Sequence, residues 1–213
     1  MPPEVKICGI TCEVDANIAL SHGANYLGFI LYEKSPRFVD KEHSEILIKK
    51  CNDITSGFVA VDVCPNFDKI ISMKKSGFRY FQFHFPLDTD LSIIKEWSTI
   101  VGSSNLWLAP KIPPDNEFPE NLLNFSDTFL LDTYSKTKFG GTGHSSDWKT
   151  FSKCKVSYPE KKWILAGGIG PKNVAKALLQ TKADIIDLNS GVEKAPGQKD
   201  PEKIKSVFSI LTH

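Results

Sequence analysis

The chain has 213 residues, 41% of them hydrophobic, and a formal charge of +1. That balance carries no general attraction for nucleic acid or anionic membranes, although it leaves room for a local anion site. No run approaches the ~18 uncharged apolar residues of a membrane helix, and "MPPEVKICGI" has no basic region followed by a long apolar one. Five cysteines, odd in number and widely spread, argue against a disulfide framework, so a reducing, cytoplasmic setting is expected.

In chain order, short apolar, β-branched or aromatic runs recur, most with an amphipathic stretch behind them. Strands are expected at 5–8, 26–31, 58–63, 80–84, 106–108, 128–131, 163–166 and 185–188. Helical patterns follow at 13–22, 41–51, 68–75 and 91–97, then near Trp148, at 171–180 and at 201–211. The fifth unit is the irregular one, because Pro110, Pro113, Pro114 and Pro119 remove ladder donors and break helices. Eight strand–helix units of about 27 residues imply parallel, buried strands. The expected fold is therefore α/β, a single (βα)₈ barrel domain over residues 1–213 with an irregular fifth helical unit. An open doubly wound sheet is the alternative, but the first turn, "CGITC", lacks the G-x-G-x-x-G pattern that such sheets usually carry there.

A barrel places its active site at the C-terminal ends of the strands. The strand-ending polar residues Cys8, Asp62, His84, Lys111, Asp132 and Asn189 are then expected to face one cavity. Buried cysteine is ordinarily a small hydrophobe, which suffices for Cys51, Cys64 and Cys154. Cys8 differs by position: it ends a strand, precedes Gly9 and is expected to face a helix N-terminus that favours its thiolate. No Cys/His pair at zinc spacing accompanies Cys8 and Cys12, so no metal is expected. Asp132 closes "FLLDT"; desolvation at a barrel mouth raises a carboxyl pKa and suits it to general-acid work, while a helix cap or salt bridge is the plainer role. The loops "FGGTG" (139–143), "AGGIGPKNV" (166–174) and "NSGVE" (189–193) follow the last three strands. Glycine-rich turns there let backbone amides converge on a phosphate, although glycine also serves ordinary turns. "KSPRFV" (34–39) brings Arg37 after the second strand, either as a carboxylate clamp or as a solvated basic turn.

The motifs "KICGIT" (6–11), "GANYLGFILYEKSPRFV" (23–39), "LLDT" (130–133), "FGGTGHSSDW" (139–148), "LAGGIGPKNV" (165–174) and "DLNSGVEKAPGQKDPEKI" (187–204) together resemble the phosphoribosylanthranilate isomerase family. That family consists of Amadori isomerases of tryptophan biosynthesis built as (βα)₈ barrels. The resemblance runs from residue 5 to about 208. It implies Cys8 as general base and Asp132 as general acid. It implies Arg37 facing the anthranilate carboxylate, His84 near the substrate, and Gly141, Gly167, Gly168, Ser190 and Gly191 in the phosphate-holding loops. It further implies a phosphorylated small-molecule substrate, no cofactor, no nucleic-acid or membrane partner, and a monomer ahead of a homodimer. Two alternatives stand beside it: the histidine-pathway Amadori isomerase, which carries aspartate where Cys8 stands, and a sugar-phosphate-binding barrel without turnover. Phe85 replaces the family's usual glycine and is expected to reshape the loop floor beside His84. Asp62 and Cys64 stand where the family is more apolar, and the proline-rich 110–119 segment aligns poorly, so Lys111 receives no role.

Overall fold

A computed structural model describes residues 2–51, 57–113, 116–132 and 148–212. Eight parallel strands close into a barrel in sequential order. They are β1 (Glu4–Cys8), β2 (Tyr26–Ile30), β3 (Gly57–Val63), β4 (Tyr80–Pro86), β5 (Leu106–Lys111), β6 (Thr128–Leu131), β7 (Lys162–Leu165) and β8 (Ile185–Leu188). The circle is completed by β1 pairing with β8, from Glu4↔Ile185 to Ile7↔Leu188.

Outside the sheet run α1 (Glu13–Ser21), α2 (Lys41–Lys50), α3 (Phe67–Lys74), α4 (Leu91–Val101), α5 (Trp148–Ser157), α6 (Val174–Thr181) and α7 (Pro201–Leu211). Several begin on a short polar side chain that accepts an otherwise orphaned amide, as Asp40 does from His43 and Asn66 from Lys69. Asp200 caps α7, with Pro201 in the first turn, where a missing N–H costs nothing. Between strands and helices lies the main core, with Phe83, Trp97, Phe129 and Trp163 fully buried.

The fifth unit departs from the pattern as expected. A 3₁₀ turn, Glu120–Asn124, stands there. Phe118 packs edge-on against Phe129 and Trp163, with both ring pairs 5.2 Å apart, and covers that side of the sheet. β5 runs three residues past its expected end, through Pro110. Its pairing with β4 continues to Pro86↔Lys111, whereas pairing with β6 stops at Leu108↔Phe129. The proline therefore falls where the strand has one neighbour and needs fewer donors.

Two elements differ further from expectation. α6 starts at Val174 rather than near residue 171, because the Asn173 side chain ties back to the Gly170 amide (2.9 Å) and the Gly168 carbonyl (3.1 Å) and holds the preceding turn open. A small antiparallel hairpin, β9 (Glu193–Ala195) and β10 (Gln198–Lys199), follows β8 around Gly197, whose φ is +81°. This is the left-handed conformation that a Pro-Gly turn accommodates.

Inside the barrel, alternation sorts the side chains into levels. Tyr26, Tyr80 and Trp107 form the floor, with ring centroids 5.0 to 5.5 Å apart. Above it lies a polar level of Lys6, Gln82 and Asp187, all buried. Above that, at the strand ends, is the mouth.

Candidate active site

Cys8 is the last residue of β1 and is 3% exposed. Gly9 after it has φ +72°, and a Cβ there would lie 2.7 Å from Arg37 Cδ and 2.8 Å from Asn189 Oδ1. The glycine thus serves close approach: it lets the loop after β2 and the end of β8 fold over the thiol. The helix that follows, α1, begins at Glu13, where the sequence pattern places it. Burial pushes the Cys8 thiol up from its ordinary value, and the ammonium groups of Lys6 and Lys199 oppose that push.

Lys6 lies two residues back on the same face of β1 and is fully buried. Its Nζ donates to Gln82 Oε1 at 2.7 Å and to Asp187 Oδ2 at 3.0 Å. Asp187 Oδ1 is buried and has no hydrogen-bond partner among the described residues. An ammonium only donates, so the Gln82 oxygen must face Lys6 and its NH₂ must face His84 Nε2, 2.9 Å away. His84 Nε2 is therefore an acceptor, and the imidazole is neutral with its proton on Nδ1. Burial first, and then Lys6, push its pKa down to about 3, in keeping with that neutral form.

A second network closes the rim. Glu193 accepts from Arg37 Nε at 2.9 and 3.1 Å and from Arg37 Nη2 at 2.6 Å. Buried Lys199 donates to Glu193 Oε1 at 2.7 Å and to Asn189 Oδ1 at 3.0 Å. Burial resists ionisation of Glu193, yet Arg37 and Lys199 hold its carboxyl below the usual value. Two nitrogens of the Arg37 fork are thus committed within the protein, and the side chain is 17% exposed at the rim.

The glycine loops after β7 and β8 meet each other. Gly167 and Gly168 have φ of +98° and +63°. A Cβ on Gly191 would fall 2.1 Å from the Ile169 carbonyl oxygen, and one on Gly170 would fall 2.6 Å from the Gly191 carbonyl oxygen. Ser190 and Gly191 open a 3₁₀ turn, whose first amides have no acceptor within the turn. The backbone here is polar, close-packed and free of side-chain bulk, as an anion seat requires. Gly191→Ala is expected to force the two loops apart, lowering stability by about 1–3 kcal/mol and raising KM more than it lowers kcat. Thermal melts and steady-state kinetics check this. Gly141 and the rest of 139–143 lie outside the described residues.

Asp132 follows β6 and is half-exposed. It lies two residues past Leu130, which belongs to the barrel interior. Three expectations are corrected. Asp62 has the opposite parity to Val61: it points outward and pairs with Lys69 of α3 at 2.6 Å. Phe85 likewise points outward, packing edge-on against Trp97 at 5.6 Å on the helix side of the sheet. Cys64 is exposed with φ +45°, not a buried hydrophobe, whereas Cys51 and Cys154 are buried.

Sequence reasoning missed Lys6, Gln82, Asp187, Glu193 and Lys199. A signal for three of them was present: each precedes a shortlisted residue by two, as Lys6 does Cys8, Gln82 does His84 and Asp187 does Asn189. Period-two alternation puts each one level deeper on the same face.

Fold and mouth define an enzyme of the (βα)₈-barrel class, with its chemistry at the C-terminal ends of the strands. A family model described as N-(5'-phosphoribosyl)anthranilate (PRA) isomerase matches residues 5–210, and the chain belongs to that family. It is 34% identical to the N-(5'-phosphoribosyl)anthranilate isomerase of Aquifex aeolicus, with 95% of each chain covered. The Gloeothece citriformis enzyme of that name is 33% identical over 97% of this chain and 93% of its own. Among solved structures, phosphoribosyl anthranilate isomerase from Thermus thermophilus superposes with a TM-score of 0.80 at 26% identity, covering 98% of both chains.

Proposed function

We infer that the chain catalyses the Amadori rearrangement of N-(5-phosphoribosyl)anthranilate to 1-(2-carboxyphenylamino)-1-deoxyribulose 5-phosphate, the isomerase step of tryptophan biosynthesis. The observation that carries the reading is a buried thiol beside the buried Lys6 ammonium, at the end of the barrel where β6 gives way to Asp132. Asp132 gives a proton to the furanose ring oxygen, and the ring opens to an imine. The Cys8 thiolate removes the C2′ proton, leaving an enolamine that tautomerises to the ketone. Each group supplies about 10²- to 10⁴-fold in rate. Amides of the Gly167–Gly168 and Ser190–Gly191 turns hold the phosphate, far from the reacting carbon, and so position it. Arg37 offers the rest of its fork to the anthranilate carboxylate. Neutral His84 stands beside the substrate, held by Gln82.

A barrel structure 24% identical to this chain was solved in complex with the reduced form of that product. The catalytic groups named come from one chain, so the reading needs no second copy and the unit is a monomer; a Thermotoga maritima relative is described as dimeric. Among the described residues no helix is long and apolar enough to cross a membrane. A base that works as a free thiolate suits a reducing cytoplasm. The test follows loss of substrate fluorescence on addition of the purified chain, with chelator present and no cofactor added. Turnover is expected; a chain that binds the reduced product analogue but leaves the substrate unchanged overturns the reading.

A further inference from the structure

Lys6 is fully buried inside the barrel, and an ammonium in such a place is tolerated only when paired. Two of its three hydrogens are accounted for by Gln82 and Asp187. Cys8 lies beside it on the same face of β1, near enough for the charge of either group to act on the other. Gly28 on the neighbouring strand maintains that meeting. A Cβ there would fall 2.8 Å from Lys6 Cε and 2.9 Å from Cys8 Sγ, so any larger residue would fill the space the two share.

The charges around the sulfur come from several elements. Lys6 stands on β1, Asp187 on β8, Glu193 and Lys199 on the β9–β10 hairpin, and Arg37 after β2. Neutral His84 stands on β4 beside Gln82, and Asp132 follows β6. In the network formed by Lys6, Arg37, Lys199, Asp187 and Glu193, three cations meet two carboxylates. A thiolate at position 8 completes its neutrality.

We propose that Lys6 is a positioning residue for Cys8: its ammonium, held by Asp187 and Gln82, is the counter-ion that lets the thiol ionise inside the barrel. The catalytic consequence rests on Cys8 being the base; the ionisation itself does not, and it is measured separately. In the full-length protein, the rate of iodoacetamide modification of Cys8 is followed against pH by peptide-resolved mass spectrometry, for wild type and Lys6→Met. The inflection is expected to move up by at least about one unit, making modification about tenfold slower at any pH below it. The pH profile of kcat should move with it while KM holds. Coincident alkylation profiles overturn the proposal. A shifted alkylation profile with an unmoved kcat profile upholds the ion pair and instead removes Cys8 from its role as base. Should Lys6→Met fail to fold, the coupling is read from the other partner by ¹⁵N resonance of lysine Nζ. The Lys6 signal of the wild type must inflect where Cys8 ionises, and Cys8→Ser must abolish that inflection; a flat signal overturns the proposal.

Discussion

Replacing Cys8 by serine is expected to lower kcat by about 10²- to 10⁴-fold, the contribution typical of one well-placed proton-transfer group. Serine is close in size, and the site is tightly bounded by Gly9 and Gly28, so the fold should survive. The hydroxyl, however, does not ionise in the range where a thiol does. Binding should change little, because the phosphate turns and Arg37 are untouched; a kcat loss with a nearly constant KM is the signature of a group used in the transition state. The pH dependence has a definite sign. Burial raises the thiol, and the base is the deprotonated form, so wild-type activity should climb with pH through the neutral range as thiolate accumulates. Alkylation of Cys8 should inactivate the enzyme, and the reduced product analogue should protect it. Full turnover after stoichiometric modification excludes Cys8 as the base.

Asp132→Asn should cut kcat by at least about 10²-fold while product-analogue affinity stays largely intact. Asparagine keeps the shape at the end of β6 and can still donate a hydrogen bond, but it cannot hand a proton to a departing ring oxygen. That separation matters because the plainer role for a strand-end carboxylate, a cap or an ion pair, would appear as a loss of stability with kcat preserved. Thermal melts beside steady-state kinetics distinguish the two, and an unchanged kcat removes Asp132 from the mechanism.

The arrangement has a cost and a compensation that run through the whole barrel. Three cations and two carboxylates are buried or half-buried around one sulfur, where each alone would be strongly disfavoured. Shared hydrogen bonds let them coexist: Gln82 joins Lys6 to His84, and Glu193 joins Arg37 to Lys199. Directional donors and acceptors in these chains also settle matters that charge alone would not, such as which imidazole nitrogen of His84 carries the proton. The mouth is thereby set before a ligand arrives, which is the condition under which buried charges assist chemistry rather than oppose it.

The strands, most of the helices and the mouth itself were legible along the chain, because period-two runs and period-3.6 faces are local patterns that burial enforces. The boundaries of β6, β8 and α7 coincide with their sequence patterns. Local reading erred where a residue's parity decided its direction. Asp62 and Phe85 lie near strand ends like Cys8 and His84, but one step of alternation turns them to the helix layer. Local patterns thus sufficed for eight strand–helix units in a closed barrel, and for a thiol, a carboxyl and glycine turns at the strand ends. They could not reveal that Lys6 and Asp187, 181 positions apart, pair beneath that thiol, that Glu193 grips Arg37, or that Gly170 and Gly191 touch. Such meetings follow from β8 closing on β1 and from the loops converging at the rim, a long-range geometry that no window along the chain contains.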